Sequence, residues 1–64
     1  MKNYYIATDD SSLETEAENI ADALEEFGAP KNVRDAAAFE DWLEGVGGYG
    51  HITEDDIEIA RVRS

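Results

Sequence analysis

The chain has 64 residues and no cysteine, and its sixteen acidic residues against five basic ones give it a net charge of −11. A chain of this length forms one small core at most, and without cysteine it can hold neither a disulfide nor a thiolate-ligated zinc ion. No apolar run approaches the roughly 20 residues of a membrane span, so we expect a single acidic domain over residues 1–64 in the cytoplasm.

The first predicted element is a β-strand at Lys2–Thr8. Tyr4, Tyr5 and Ile6 are residue types that favour strands, and a turn cluster of Asp and Ser follows at residues 9–12. Successive side chains of a strand point to opposite faces. One tyrosine of the pair should therefore be buried and the other exposed.

A helix is predicted over residues 13–27. Ser11 or Ser12 can cap its first turn, and Gly28 can supply the left-handed residue that ends it. Its apolar residues recur at spacings of four, three, four and three, which places them on one face of a helix. They are Leu13, Ala17, Ile20, Leu24 and Phe27.

A second helix is predicted over residues 35–44. Ala36, Phe39, Leu43 and then Val46 mark a buried stripe, and Gly45 should end the helix. The segment at residues 31–34 between the two helices fits a helix, a loop or a short strand equally well.

The tail has two interpretations. The acidic run after Thr53 resembles the start of a helix, but the β-branched residues beyond it favour a hairpin of residues 49–53 and 57–63, which we prefer. The first strand would complete a three-stranded sheet. The predicted fold is therefore α+β, with two helices packed on a small antiparallel sheet in the order β-α-α-β-β.

No residue pattern indicates catalysis or a bound ion. The sequence GVGGYG at residues 45–50 has the letters of the dinucleotide fingerprint, but it follows a helix and not a strand, so we interpret it as a helix end and connector. The acidic clusters at residues 9–10 and 54–56 lack the spacing of a calcium loop and are interpreted as solvated turns. His51, the single histidine, is interpreted as a partly buried strand residue. We expect no enzyme activity, no metal and no cofactor.

Acidic residues on the two predicted helices are the strongest functional signal. No lysine or arginine occurs from residue 3 to residue 30, and the first helix would gather its carboxylates into one stripe with rises of roughly 4.5 to 6 Å, comparable to the charge spacing of a nucleic-acid strand. This stripe consists of Glu14, Glu18, Asp22 and Glu25. The second helix adds Glu40, Asp41 and Glu44. We predict that these seven carboxylates bind a basic, nucleic-acid-binding protein, because so negative a chain repels nucleic acid and anionic membranes.

In its length, its acidic helices and its β-rich tail, the chain resembles the small acidic phage-encoded inhibitors of bacterial defence. It is most similar in these respects to the anti-CRISPR proteins that act as DNA mimics, including an inhibitor of type I-C systems. The resemblance implies that carboxylates occupy the basic channel where a Cascade-type complex takes target DNA. The partner would then be a Cascade-type subunit in the cytoplasm of the host cell.

Two other functions remain open. The protein can be an antitoxin or an assembly module that docks through apolar residues such as Trp42 and Tyr49. It can also be an acid-rich accessory protein of a salt-loving organism, whose carboxylates hold water at the surface. Reversal of Glu18 and Asp22 to lysine should abolish binding only if the protein is a nucleic-acid mimic.

Overall fold

The computed structural model describes residues 1–63, which form four strands and two helices. In chain order these are β1 (Lys2–Thr8), β2 (Ser12–Ala17), α1 (Ile20–Phe27), α2 (Ala36–Val46), β3 (Gly50–Glu54) and β4 (Ile57–Val62). The α+β class is confirmed. The predicted order β-α-α-β-β is wrong, because a second strand lies between the first strand and the first helix.

Residues 13–17, predicted as the start of a helix, form most of β2. A spacing of four residues fits a strand face as well as a helix face, so Leu13 and Ala17 could not distinguish the two. The discriminating residue is Thr15, which lies between them on the same strand face and donates its hydroxyl to the Glu26 carboxylate of α1 at 3.2 Å. Residues 12–17 extend because they pair with residues 2–7 of β1, from Lys2↔Ala17 to Ala7↔Ser12.

The first helix begins at Ile20 because Asn19 caps it. The backbone of Asn19 is extended, and its side-chain oxygen accepts a hydrogen bond from the N–H of Asp22 at 3.0 Å. The predicted caps, Ser11 and Ser12, lie instead at the β1–β2 turn and the first position of β2. The predicted end is confirmed, since Gly28 adopts the left-handed conformation with φ of 96°.

The second helix begins one residue later and ends two residues later than predicted. Asp35 is its N-cap and accepts the N–H of Ala38 at 2.8 Å. Gly45 lies inside the helix, and the left-handed residue that ends it is Gly47, with φ of 73°. An isolated glycine within a helix costs only about 1 kcal/mol relative to alanine, which does not suffice to end α2 at Gly45.

The sheet has four strands, not three, in the order β2-β1-β3-β4, and each neighbouring pair is antiparallel. The preferred interpretation of the tail is confirmed, because β3 and β4 form a hairpin. Its two-residue turn places Asp55 and Asp56 at positive φ, 49° and 68°, as a turn between tightly connected strands requires. Residues 31–34 lie in the connection between the helices.

Both helices pack on one face of the sheet, with α1 against β1 and β2 and α2 against β4. The largest fully buried side chains come from the sheet and both helices: Tyr4, Ile6, Leu24, Phe39 and Ile52. Tyr4 is 1% exposed and its neighbour Tyr5 is 37% exposed, which confirms that the tyrosine pair divides between the two faces. Neither helix in residues 1–63 has the length and hydropathy needed to cross a bilayer.

Candidate protein-binding surface

The carboxylates predicted to share one stripe on the first helix lie in three different places. Glu14 is on β2, and because Leu13 and Thr15 on either side of it face the helices, its exposed side chain lies on the opposite face of the sheet. Glu18 lies in the connection between β2 and α1. Only Asp22 and Glu25 are on the helix. The prediction of a continuous four-residue stripe is therefore wrong.

The exposed side of α1 nevertheless carries carboxylates and no base. Asp22 and Glu25 are three residues apart and both are exposed, which places them on neighbouring positions of the helix surface. Glu26 lies four residues after Asp22. It was left out of the predicted stripe because, on a helix beginning at residue 13, it falls outside the arc that contains Glu14 and Glu18. Its carboxylate accepts the Thr15 hydroxyl, so it also ties α1 to the edge of the sheet.

On α2 the three predicted carboxylates divide into two roles. Asp41 and Glu44 are exposed and three residues apart, as on α1. Glu40 is half-buried and accepts the backbone N–H of Arg61 at 3.1 Å. This hydrogen bond satisfies an outward N–H of β4, which is an edge strand, so Glu40 holds the fold together and is less available to a partner.

We use the name helical acidic surface for Asp22, Glu25, Asp41 and Glu44. Neither α1 nor α2 contains a lysine or an arginine. Because both helices cover the same face of the sheet, the two carboxylate pairs lie on the same side of the molecule, away from the core. The helical acidic surface therefore retains four of the seven residues that the sequence indicated.

Ion pairs within residues 1–63 do not reach this surface. There are two of them: Lys2 with Glu54, at 3.0 Å, and Arg61 with Glu58, whose carboxylate also accepts the arginine Nε at 2.9 Å. The hydrogen bond from Arg61 lowers the pKa of Glu58, and the one to Glu54 raises the pKa of Lys2. Both pairs involve strand residues, so neither includes a carboxylate of the helical acidic surface.

The opposite side of the sheet is not covered by helices, and we call it the open sheet face. Tyr5 and His51 lie on this face. The residues paired with them on neighbouring strands lie on it too, because residues paired across antiparallel strands share a face. Glu14 and Glu16 lie on it at the β2 edge, and Arg61 lies on it at the β4 edge. In contrast to the helical acidic surface, it carries both signs of charge.

Of the two acidic clusters considered as cation sites, the one at residues 54–56 has structural roles. In the cluster at residues 54–56, Glu54 pairs with Lys2 and Asp55 accepts the N–H of Asn3 at 2.9 Å. Among the described residues, no three Asp, Glu or His side chains converge as a metal-binding group. The chemistry that the helical acidic surface offers is electrostatic attraction and charge-assisted hydrogen bonding.

Comparison of the chain with protein-family models, curated proteins and solved structures finds no match.

Proposed function

We propose that this protein binds a basic groove of a nucleic-acid-binding protein through the helical acidic surface and thereby excludes nucleic acid from that groove. One observation carries the proposal: only two of the sixteen side-chain carboxylates form an ion pair within residues 1–63, and none of those on the helical acidic surface does. A surface kept negative in this way attracts cationic grooves over a Debye length of about 8 Å at physiological salt.

The spacing of the carboxylates suits such a groove. Two positions three residues apart on a helix differ in height by about 4.5 Å, which is close to the spacing of phosphates along a nucleic-acid strand. Each helix offers one such pair, Asp22 with Glu25 and Asp41 with Glu44. The helices are fixed by packing on the sheet, so the backbone positions that carry the carboxylates are set before binding.

The local cost of these charges also supports a binding role. Asp22 and Glu26 are four residues apart, and like charges at this spacing destabilise a helix by about 0.2–0.5 kcal/mol. A lysine at either position would remove the repulsion and supply a favourable pair. Stability alone therefore does not explain why α1 carries three carboxylates and no base.

The partner class follows from this chemistry, and the resemblance suggests which member to test first. Arginine and lysine side chains that bind DNA phosphates gain affinity by releasing counterions, and fixed carboxylates can exploit the same side chains. We propose a Cascade-type complex of a type I-C CRISPR system as the partner. In that case the protein is a phage-type inhibitor of bacterial defence that acts as a DNA mimic.

The first test reverses charge on one face at a time. Asp22→Lys with Glu25→Lys should weaken binding to the immobilised Cascade-type complex more than about tenfold, because two attractions become repulsions. Glu14→Lys with Glu16→Lys is the matched control. It changes the net charge by the same amount on the open sheet face, and should leave the affinity nearly unchanged.

Circular dichroism and thermal unfolding of both variants establish that each is folded. Equal weakening by the two pairs would mean that total charge and not the helical acidic surface determines binding. Unchanged affinity in the Asp22 and Glu25 variant would show that the helical acidic surface is not the binding surface. If the complex does not bind the wild-type protein, the partner assignment is wrong.

A further inference from the structure

The basic residues of this acidic protein are not evenly distributed. Lys2 is paired with Glu54, and Lys31 and Arg34 lie in the connection between the helices. The remaining two, Arg61 and Arg63, are two residues apart at the end of the chain. This spacing places both on one side of an extended segment, the side that carries the open sheet face.

Arg61 and Arg63 line a depression together with the single histidine and an exposed tyrosine. The depression has a volume of about 300 Å³ and is open to solvent, and its lining is Tyr49, Gly50, His51, Arg61, Val62 and Arg63. This volume is at the lower end of the range for small-molecule sites. It lies on the sheet, whereas the helical acidic surface lies on the helices, so the two surfaces can act separately.

Neighbouring residues hold part of this lining in place. The Glu58 carboxylate accepts hydrogen bonds from Nε and one terminal nitrogen of Arg61, which fixes the plane of the guanidinium and uses two of its five N–H donors. The ring of Tyr5 lies 5.6 Å from the ring of His51, centroid to centroid. Arg63 has no ion pair within the part of the chain that the structure describes.

The hydrogen-bond donors and the tyrosine ring that line the depression indicate the class of ligand that it can bind. A guanidinium presents a planar fork of N–H donors that matches phosphate oxygens, and a second guanidinium and an imidazole add further donors. Tyr49 is 50% exposed and lines the depression, so part of its ring is available for stacking on a planar base. We propose that this depression binds a nucleoside phosphate, with the phosphate on Arg61 and Arg63 and the base on Tyr49.

The net charge favours a free nucleotide over a nucleic-acid strand. A strand extending from the depression would bring further phosphates towards Glu14, Glu16 and the acidic turns of the sheet. A mononucleotide places its charge beside Arg61 and Arg63, where the adjacent carboxylate is Glu58, which is paired with Arg61. At about 0.15 M salt, carboxylates more than about 8 Å away are largely screened from it.

The experiment is a titration of the full-length, ¹⁵N-labelled protein with AMP at about 0.15 M salt, followed through the backbone amide signals. Saturable shifts are expected at Gly50, His51 and Val62 and not on α1. Arg63→Gln should weaken AMP binding about fivefold or more, through loss of a charge-assisted contact. Tyr49→Ala should weaken AMP binding about tenfold but leave inorganic phosphate unaffected, because only the nucleotide has a base to stack.

The control is Lys31→Gln, which removes the same charge at an exposed base outside the depression and should not change AMP binding. Equal weakening by Arg63→Gln and Lys31→Gln would show only general charge attraction and overturn the site. So would the absence of saturable shifts at millimolar AMP. A short single-stranded oligonucleotide that bound more tightly than AMP would overturn the assignment to a free nucleotide.

Discussion

Gly50 shows how closely the layers of this small fold approach one another. It begins β3 beside Thr8 of β1, under Leu43 of α2. A methyl group at this position would overlap the carbonyl oxygen of Ala7 and lie 2.9 Å from a Leu43 methyl. Position 50 therefore requires glycine because there is no room for a side chain. The composition and periodicity of the sequence do not reveal this requirement.

Gly50→Ala should destabilise the protein by about 3 kcal/mol or more, because a backbone carbonyl cannot move aside as a flexible side chain can. Urea unfolding measures the change in free energy. Gly45→Ala is the matched control: Gly45 is helical, and a methyl group there meets no atom within 4 Å. It should stabilise the protein by up to about 1 kcal/mol, and similar effects at the two positions would contradict the close approach at Gly50.

Tyr4 makes the fold sensitive to alkaline pH. Burial of its side chain, and then the charge of nearby Glu54, raise its pKa above the usual value near 10. A group whose pKa is raised on folding stabilises the protein fully below its unfolded pKa, and this contribution declines as pH rises through the folded pKa. The melting temperature should therefore fall above about pH 10, where the unfolded state releases the proton first.

In Tyr4→Phe this part of the pH dependence should disappear, because no hydroxyl remains to titrate. Thermal unfolding between neutral and alkaline pH compares the two proteins. Tyr5→Phe serves as the control, because Tyr5 is partly exposed on the other face of the sheet. If Tyr4→Phe retained the alkaline decline while Tyr5→Phe lost it, the burial of Tyr4 would be contradicted.

At the scale of elements, the sequence predicts some strands and helices correctly and others not. The first strand is confirmed at Lys2–Thr8, and the β3–β4 hairpin follows from β-branched residues on both sides of a two-residue acidic turn. The second helix is confirmed apart from its ends and from Val46, which was expected in the buried stripe but is 66% exposed. These elements each carry a pattern with a single period.

The strand β2 was missed because its pattern fits two periods. Leu13 and Ala17 continue the helical spacing of Ile20 and Leu24, while the intervening Thr15 is compatible with a strand. What decides the outcome is pairing with β1, a contact between segments that no local window contains. The error also placed Glu14 and Glu18 on the first helix, where they do not lie, so the candidate site was only partly predictable from the sequence.

The start of α1 provides a direct test of this correction. Asn19→Ala should destabilise the protein by about 1 kcal/mol, because it removes the acceptor for the N–H of Asp22. Ser12→Ala should have little effect, since Ser12 is exposed at the start of β2 and caps no helix. Chemical unfolding of the two variants distinguishes the two helix starts, and the opposite ranking would favour a helix over residues 13–27.

At the scale of the whole molecule, the two sides of the sheet carry different charge. Neither helix contains a base, although Lys31 and Arg34 of the connection between them line a depression together with Glu25. The open sheet face carries two arginines, a histidine and several glutamates. Net charge alone would favour attraction to a cationic partner in any orientation. For the proposed basic partner, the asymmetry favours one orientation, with the helices towards the partner and the depression by Arg63 left accessible.

The same asymmetry bears on the two other functions. Trp42 is half-buried, and its ring lies 6.0 Å from that of Phe39 in the core, centroid to centroid, so its removal would disturb packing as well as any interface. Tyr49 is the more exposed of the two residues considered for apolar docking. A salt-adapted protein needs acids on all of its surface, and ten of the sixteen acids do lie outside the two helices. What sets the helices apart is that neither contains a base.

Displacement of DNA tests the central claim most directly. Labelled target duplex is bound to the Cascade-type complex, and the protein is added in increasing amounts while fluorescence anisotropy reports the bound fraction. The helical acidic surface predicts release of the duplex near one protein per binding site, and loss of this release in Asp22→Lys with Glu25→Lys. Continued DNA binding at saturating wild-type protein, or equal release by that variant, would contradict it.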